Sequence, residues 1–137
     1  MKIVVTGHGC FSSGIKSTIS LLAGEIQKIH YIDFLEEMSE KDLKKKFVDI
    51  IDEASNGVVF FCDLFGGTPY KQAAVLSTEY PNVAVVAGCN VGALLEVSLQ
   101  SIDEAQKVSE LLIEATMKGV RKFGKQRIAQ EEVSDGI

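Results

Sequence analysis

The sequence predicts an α/β domain, an open and mainly parallel four-stranded sheet covered by helices on both faces. Three observations point there. Four short apolar runs bounded by turn residues recur along the chain, stretches of helical period lie between and after them, and the runs are rich in Val, Ile and Phe, as strands buried on both faces should be. A chain of 137 residues fits one domain and buries roughly two-thirds of the surface its unfolded form exposes, enough for a core without staples.

The first strand is expected over 2–6, where Ile3-Val4-Val5 runs into Gly7-His8-Gly9. A helix over 13–22 follows, with Ile15, Ile19 and Leu22 on one face. The second strand is expected over 28–33; it contains His30, read as a packed or edge-exposed histidine. Next, 39–54 opens on Ser39-Glu40-Lys41-Asp42, a capping-box spacing, and sets Leu43, Phe47, Ile50, Ile51 and Ala54 on one stripe. The third strand, over 57–63, carries Val58-Val59-Phe60-Phe61 into Asp63-Leu64-Phe65-Gly66-Gly67-Thr68-Pro69. Pro69 suits the first turn of a helix over 69–78, with Thr68 as its expected N-cap.

A fourth strand over 82–87 precedes helices over 91–100 and 103–119. The apolar set of the last helix is Ala105, Val108, Leu111, Leu112, Ala115 and Met117. The domain is drawn over 1–123. The polar stretch 124–137 has no clear period and is expected to be loosely ordered or to add an edge strand.

Net charge is -5, without the basic footprint that nucleic-acid binding calls for. Cys10, Cys62 and Cys89 are odd in number and widely spaced, which suggests neither a disulfide framework nor a structural zinc site. The chain reads as cytoplasmic. No apolar stretch approaches the ~20 residues of a membrane span, so any link to a membrane is expected to go through a partner.

The chemistry concentrates in the two glycine-flanked stops. If both preceding runs are parallel strands of one sheet, their C-terminal ends share a rim, and His8 and Asp63 can meet across a crevice. An aspartate there would accept the proton of one ring nitrogen, fix the tautomer, and leave the other nitrogen's lone pair facing solvent. The plainer alternatives are a turn histidine and a strand-end cap. Gly66-Gly67-Thr68-Pro69 brings a glycine pair to a helix start, where free N–H groups and the dipole favour an anion such as a phosphoryl group. Ser12, Ser13 and Gly14 open the first helix in the same way, with Gly9 in the loop before them, so two helix starts and the Thr68 hydroxyl are candidates to receive a group carried on His8. Simple N-capping is the alternative for both serines. Gly7-x-Gly9-x-x-Ser12 also approaches a dinucleotide fingerprint, but its third glycine is missing and Asp33 is the sole acidic candidate for a ribose.

At these residues the sequence resembles the IIA component of the mannose family of the bacterial phosphoenolpyruvate-dependent sugar phosphotransferase system. The resemblance runs from Met1 to about Phe123. It is carried by Gly7-His8-Gly9, Ile32-Asp33-Phe34, Asp63-Leu64-Phe65-Gly66-Gly67-Thr68-Pro69, and Val86-Ala87-Gly88-Cys89-Asn90-Val91. It implies that His8 takes a phosphoryl group from the phosphohistidine of the carrier HPr, on the ring nitrogen far from the backbone. His8 then passes the group to the IIB component, while Asp63 hydrogen-bonds the ring. No metal or nucleotide cofactor is implied. The resemblance further implies a homodimer with an exchanged C-terminal strand and an indirect link to the membrane components IIC and IID. Thr6-Gly7-His8-Gly9 with Ser13-Gly14, and the ending Asp135-Gly136-Ile137, are most similar to the N-acetylgalactosamine branch. One departure stands out: some members carry Ser or Thr immediately before the histidine, where this chain has Gly7.

Overall fold

Alternation along each strand sends consecutive side chains to opposite faces, and each face carries its own core. The computed structural model describes residues 1–125. Its four strands, β1 (Lys2–His8), β2 (Ile29–Phe34), β3 (Val58–Cys62) and β4 (Val83–Ala87), are parallel and lie in the order β2-β1-β3-β4. Helices α1 (Phe11–Ala23), α2 (Glu40–Glu53) and α3 (Thr68–Glu79) make the crossovers, and α4 (Val91–Ser98) and α5 (Ala105–Gly119) follow β4. On one face Ile3, Val5, Val59, Phe61 and Val86 pack with Ile19 of α1, Leu94 and Val97 of α4, and Val108 and Leu112 of α5. On the other, Val4, Val58, Phe60 and Cys62 pack with Leu43 and Phe47 of α2 and Ala73 and Leu76 of α3. The Phe47 and Phe60 rings lie 4.6 Å apart there.

All four predicted strands are present, with end points within two residues of those expected. Ser39 forms the expected capping box: its hydroxyl accepts the Asp42 N–H at 3.1 Å, and Asp42 accepts the Ser39 N–H at 2.9 Å. Three expectations need correction. Leu22 is 60% exposed, because the last turn of α1 runs past the core, and Ile26, beyond the turn at Gly24, packs against it instead. Met117 is 72% exposed; it sits about 200° of helix rotation from the buried Ala115, off the stripe set by Ala105, Val108 and Leu112. Thr68 is not the N-cap of α3. Gly67 holds that position in extended conformation, which makes Thr68 the first helical residue and Pro69 the second. From residue 126 onward, the expected tail or edge strand lies outside the described residues.

Strand order decides where a site forms. The chain winds from β1 to β2 in one direction, and places β3 on the other side of β1, so the loops after β1 and β3 diverge and leave a crevice at their carboxyl ends. His8 ends β1, and Asp63 follows β3 immediately.

Candidate functional site

His8 leaves the sheet through a turn that only its successor permits. Gly9 has φ +58, a left-handed conformation open to glycine at no steric cost. Its N–H donates to the carbonyl of Phe34 at 2.8 Å, which ties the turn to the end of β2. The Phe34 ring meets the imidazole edge to face, with centroids 6.2 Å apart.

Asp63 extends the β1–β3 pairing by one step, its N–H donating to the Thr6 carbonyl at 3.0 Å. That bond brings the carboxylate beneath His8. Oδ2 accepts the His8 backbone N–H at 3.0 Å and lies 2.8 Å from ring Nδ1, while Oδ1 accepts the Leu64 N–H at 2.9 Å. The Asp63 side chain is 9% exposed and that of His8 is 45% exposed. Burial pushes the Asp63 carboxyl up, but the bonds from the His8 backbone, the His8 ring and Leu64 outweigh it and hold the group below its ordinary value. An ionised carboxylate only accepts, so Nδ1 carries a proton, and in the neutral ring Nε2 is the nitrogen left with a lone pair.

The Cε1–Nε2 edge of the ring lies against Gly67, at the start of α3. A Cβ placed on Gly67 would lie 2.5 Å from His8 Cε1 and 3.2 Å from Nε2. Absence of a side chain at Gly67 therefore lets the imidazole rest against the helix N-terminus. Gly66, at φ +83, bends the chain into that start. No side chain caps α3, so its first N–H groups remain free to meet a negative group beside Nε2. Thr68 opens the helix at the same place.

The serines of α1 are arranged differently from the expectation that both helix starts converge on His8. Ser12 is fully buried, and its hydroxyl donates to Asp33 Oδ1 at 2.6 Å. Ser13 donates its N–H to the same oxygen at 3.0 Å and its hydroxyl to Oδ2. Three donors from the start of α1 thus engage the carboxylate of Asp33, the sole acidic candidate of the dinucleotide reading. Gly7 is buried between the loops: a Cβ there would meet Phe11 Cδ2 at 2.7 Å and Asp63 Cβ and Cγ at 2.8 Å. A side chain at this position would thus collide with Asp63 and Phe11.

Two of the cysteines lie close behind. Cys89 donates its N–H to the Cys62 carbonyl at 2.9 Å. Burial and the nearby Asp63 charge push the Cys89 thiol up to about 12 and the Cys62 thiol higher still, so neither is a thiolate nucleophile at neutral pH. Among the described residues, no group of three or more His, Cys, Asp or Glu side chains could hold a metal ion, and no helix is long and apolar enough to cross a membrane.

Reasoning from sequence missed the apolar rim. Leu64 and Phe65 are 50% and 78% exposed. The Phe65 ring packs at a tilt against Tyr70, with centroids 4.9 Å apart, and both line a 510 Å³ cleft with Asp63 and Ile113. Two bulky apolar residues inside a glycine-rich loop, beyond the end of a strand, were the available signal.

Residues 2–116 match the family EIIA-man, described as "PTS system fructose IIA component". The chain is 31% identical over 115 residues to the sorbose-specific EIIA component of Lacticaseibacillus casei, covering 82% of this chain and 83% of that protein. It is 29% identical over 99 residues to the fructose-specific EIIA component of Bacillus subtilis, covering 71% and 68%. The crystal structure of phosphotransferase system component EIIA from Streptococcus agalactiae superposes with a TM-score of 0.83 at 28% identity, covering 89% of this chain and 96% of that one. With its fold, its matched span and these relatives in agreement, the chain belongs to the EIIA family of mannose-, fructose- and sorbose-type phosphotransferase systems.

Proposed function

We propose that the protein is a cytoplasmic phosphocarrier in which His8 accepts a phosphoryl group from phospho-HPr and hands it to a IIB component. One observation carries this reading: Nδ1 is engaged by Asp63 at 2.8 Å, and the Cε1–Nε2 edge of the ring lies against Gly67 at the uncapped start of α3. The Nε2 lone pair forms the new P–N bond as the donor's P–N bond breaks, and the electron pair of the broken bond returns to the departing imidazole. Positive charge on the His8 ring is met by Asp63. The phosphoryl oxygens are received by the first N–H groups of α3 and the Thr68 hydroxyl. Phosphoryl transfer asks for this kind of in-line positioning and charge stabilisation.

Incubation with phosphoenolpyruvate, Enzyme I and HPr tests it. An acid-labile, alkali-stable label on the wild type that is absent from His8→Ala is the expected result. An unlabelled wild type, or undiminished label on His8→Ala, ends the reading.

The same reading makes the protein a homodimer serving IIC and IID components in the membrane, with an amino sugar such as N-acetylgalactosamine as cargo. Among the described residues the outer edge of β4 pairs with no strand, and with the exposed Ile113, Met117 and Val120 on and just after α5 it supports self-association. Light scattering on the full chain measures it, and growth of a deletion strain on N-acetylgalactosamine against mannose measures the cargo.

A further inference from the structure

Helix α1 begins without a cap of its own. Cys10 stands at the N-cap position with no side-chain bond to the helix, and the first turn carries no acidic residue. Free N–H groups at a helix start are ordinarily met by a Ser, Thr, Asp or Asn side chain, and negative charge is favoured there by the dipole.

Asp33 supplies both from the neighbouring strand. It takes the Ser13 N–H and the hydroxyls of Ser12 and Ser13. Partial burial pushes its carboxyl up, but those bonds prevail and hold it below the ordinary value, so the group is charged at neutral pH. Phe34, next along β2, takes the Gly9 N–H at 2.8 Å and sets its ring against the imidazole. Two consecutive residues of one strand thus grip the chain on both sides of Cys10.

We infer that Asp33 is a positioning residue for His8: by capping α1 from β2, it fixes the turn between β1 and α1 and so seats the imidazole between Asp63 and Gly67. A second consequence follows from the charge. With a carboxylate already at the start of α1, the uncapped helix start left beside His8 is that of α3, and a phosphoryl group is directed to that side alone.

The effect on rate rests on the phosphocarrier reading, whereas the effect on the ring rests on geometry alone, so the experiment reads both. Asp33→Ala and Asp33→Asn are compared with wild type by quenched-flow transfer from phospho-HPr and by long-range ¹H–¹⁵N spectra of the His8 imidazole. Misplacing a reacting group by about 1 Å costs up to roughly a hundredfold, so Asp33→Ala is expected to lose between ten- and a hundredfold in kcat with KM for phospho-HPr little changed. Its ring spectrum is expected to change from one Nδ1–H tautomer to a mixture. Asn keeps an acceptor for the Ser13 N–H and is expected to restore most of both. Wild-type rate and a single tautomer in Asp33→Ala overturn the inference, as does an Asp33→Asn variant no better than the alanine. If Asp33→Ala does not fold, the Ser12→Ala, Ser13→Ala double variant should show the same tautomer mixing in weaker form, and an unchanged spectrum there overturns it. A wild type that accepts no phosphoryl group sinks the phosphocarrier reading, while the ring spectra still decide the role of Asp33.

Discussion

A single carboxylate oxygen, Oδ2 of Asp63, serves His8 twice, accepting its backbone N–H at 3.0 Å and lying 2.8 Å from its ring Nδ1. The backbone bond fixes where the residue sits and the ring bond fixes how it faces. Asp63→Asn keeps an acceptor of similar shape but removes the charge that balances a cationic ring. Transfer from phospho-HPr is expected to slow by roughly a hundredfold or more, with far-UV circular dichroism unchanged. Wild-type rates in this variant would remove Asp63 from the chemistry.

Gly67 is predicted to be intolerant of any side chain. A Cβ 2.5 Å from His8 Cε1 has to displace the ring from the start of α3. Gly67→Ala should fold, since the position has an ordinary extended conformation with φ -76, yet it should lose most of its labelling by phospho-HPr. Retained labelling would show that the ring does not need the helix start.

Gly7 tests the second close approach. Gly7→Ala places a methyl group within 2.8 Å of Asp63 Cβ and Cγ, and overpacking of this kind costs about 1–3 kcal/mol. Urea melts should record that loss, together with slower transfer as Asp63 shifts. A variant as stable and as active as wild type would mean that the loops separate easily.

Acid should loosen the rim in a defined window. Asp33 and Asp63 both have carboxyls held below their ordinary values. Their contribution to stability is therefore complete above the unfolded carboxyl pKa of about 3.9 and fades as pH falls from there through the lower folded values. Urea midpoints measured from pH 6 to pH 2 should fall more steeply below pH ~4 in wild type than in the Asp33→Asn, Asp63→Asn double variant. Parallel curves would contradict the assignment.

Ser39→Ala serves as a contrast remote from the chemistry. Loss of the capping box on α2 should cost about 1 kcal/mol in a thermal or urea melt and leave the rate of phosphoryl transfer as it was.

Much of this architecture was legible because it rests on periodicity. The apolar runs ending at Gly7 and at Asp63 could be read as strands sharing a rim, and rim residues of adjacent parallel strands are neighbours whatever their separation in sequence. Asp33 was harder to read. Its task is to cap a helix that begins more than twenty positions earlier, and a tertiary cap leaves no local spacing; the hint lay in Cys10, a poor cap before a helix with no acid in its first turn. Ser12 and Ser13 read as either cap or ligand for the same reason, since a hydroxyl at a helix start reads alike whether its partner is a phosphoryl group or a carboxylate from the next strand. Thr68 was misjudged by one position because Gly67 caps through its backbone and has no side chain to signal it.

His8 and Asp63 are 55 positions apart, and α1, β2 and α2 lie between β1 and β3 and must be routed before those two strands align. Contacts of such sequence separation come late and set the pace of folding. Competence for phosphoryl transfer is therefore a clock for that event: during refolding, helical signal should return first, and the capacity to be labelled should return only when the two central strands have closed.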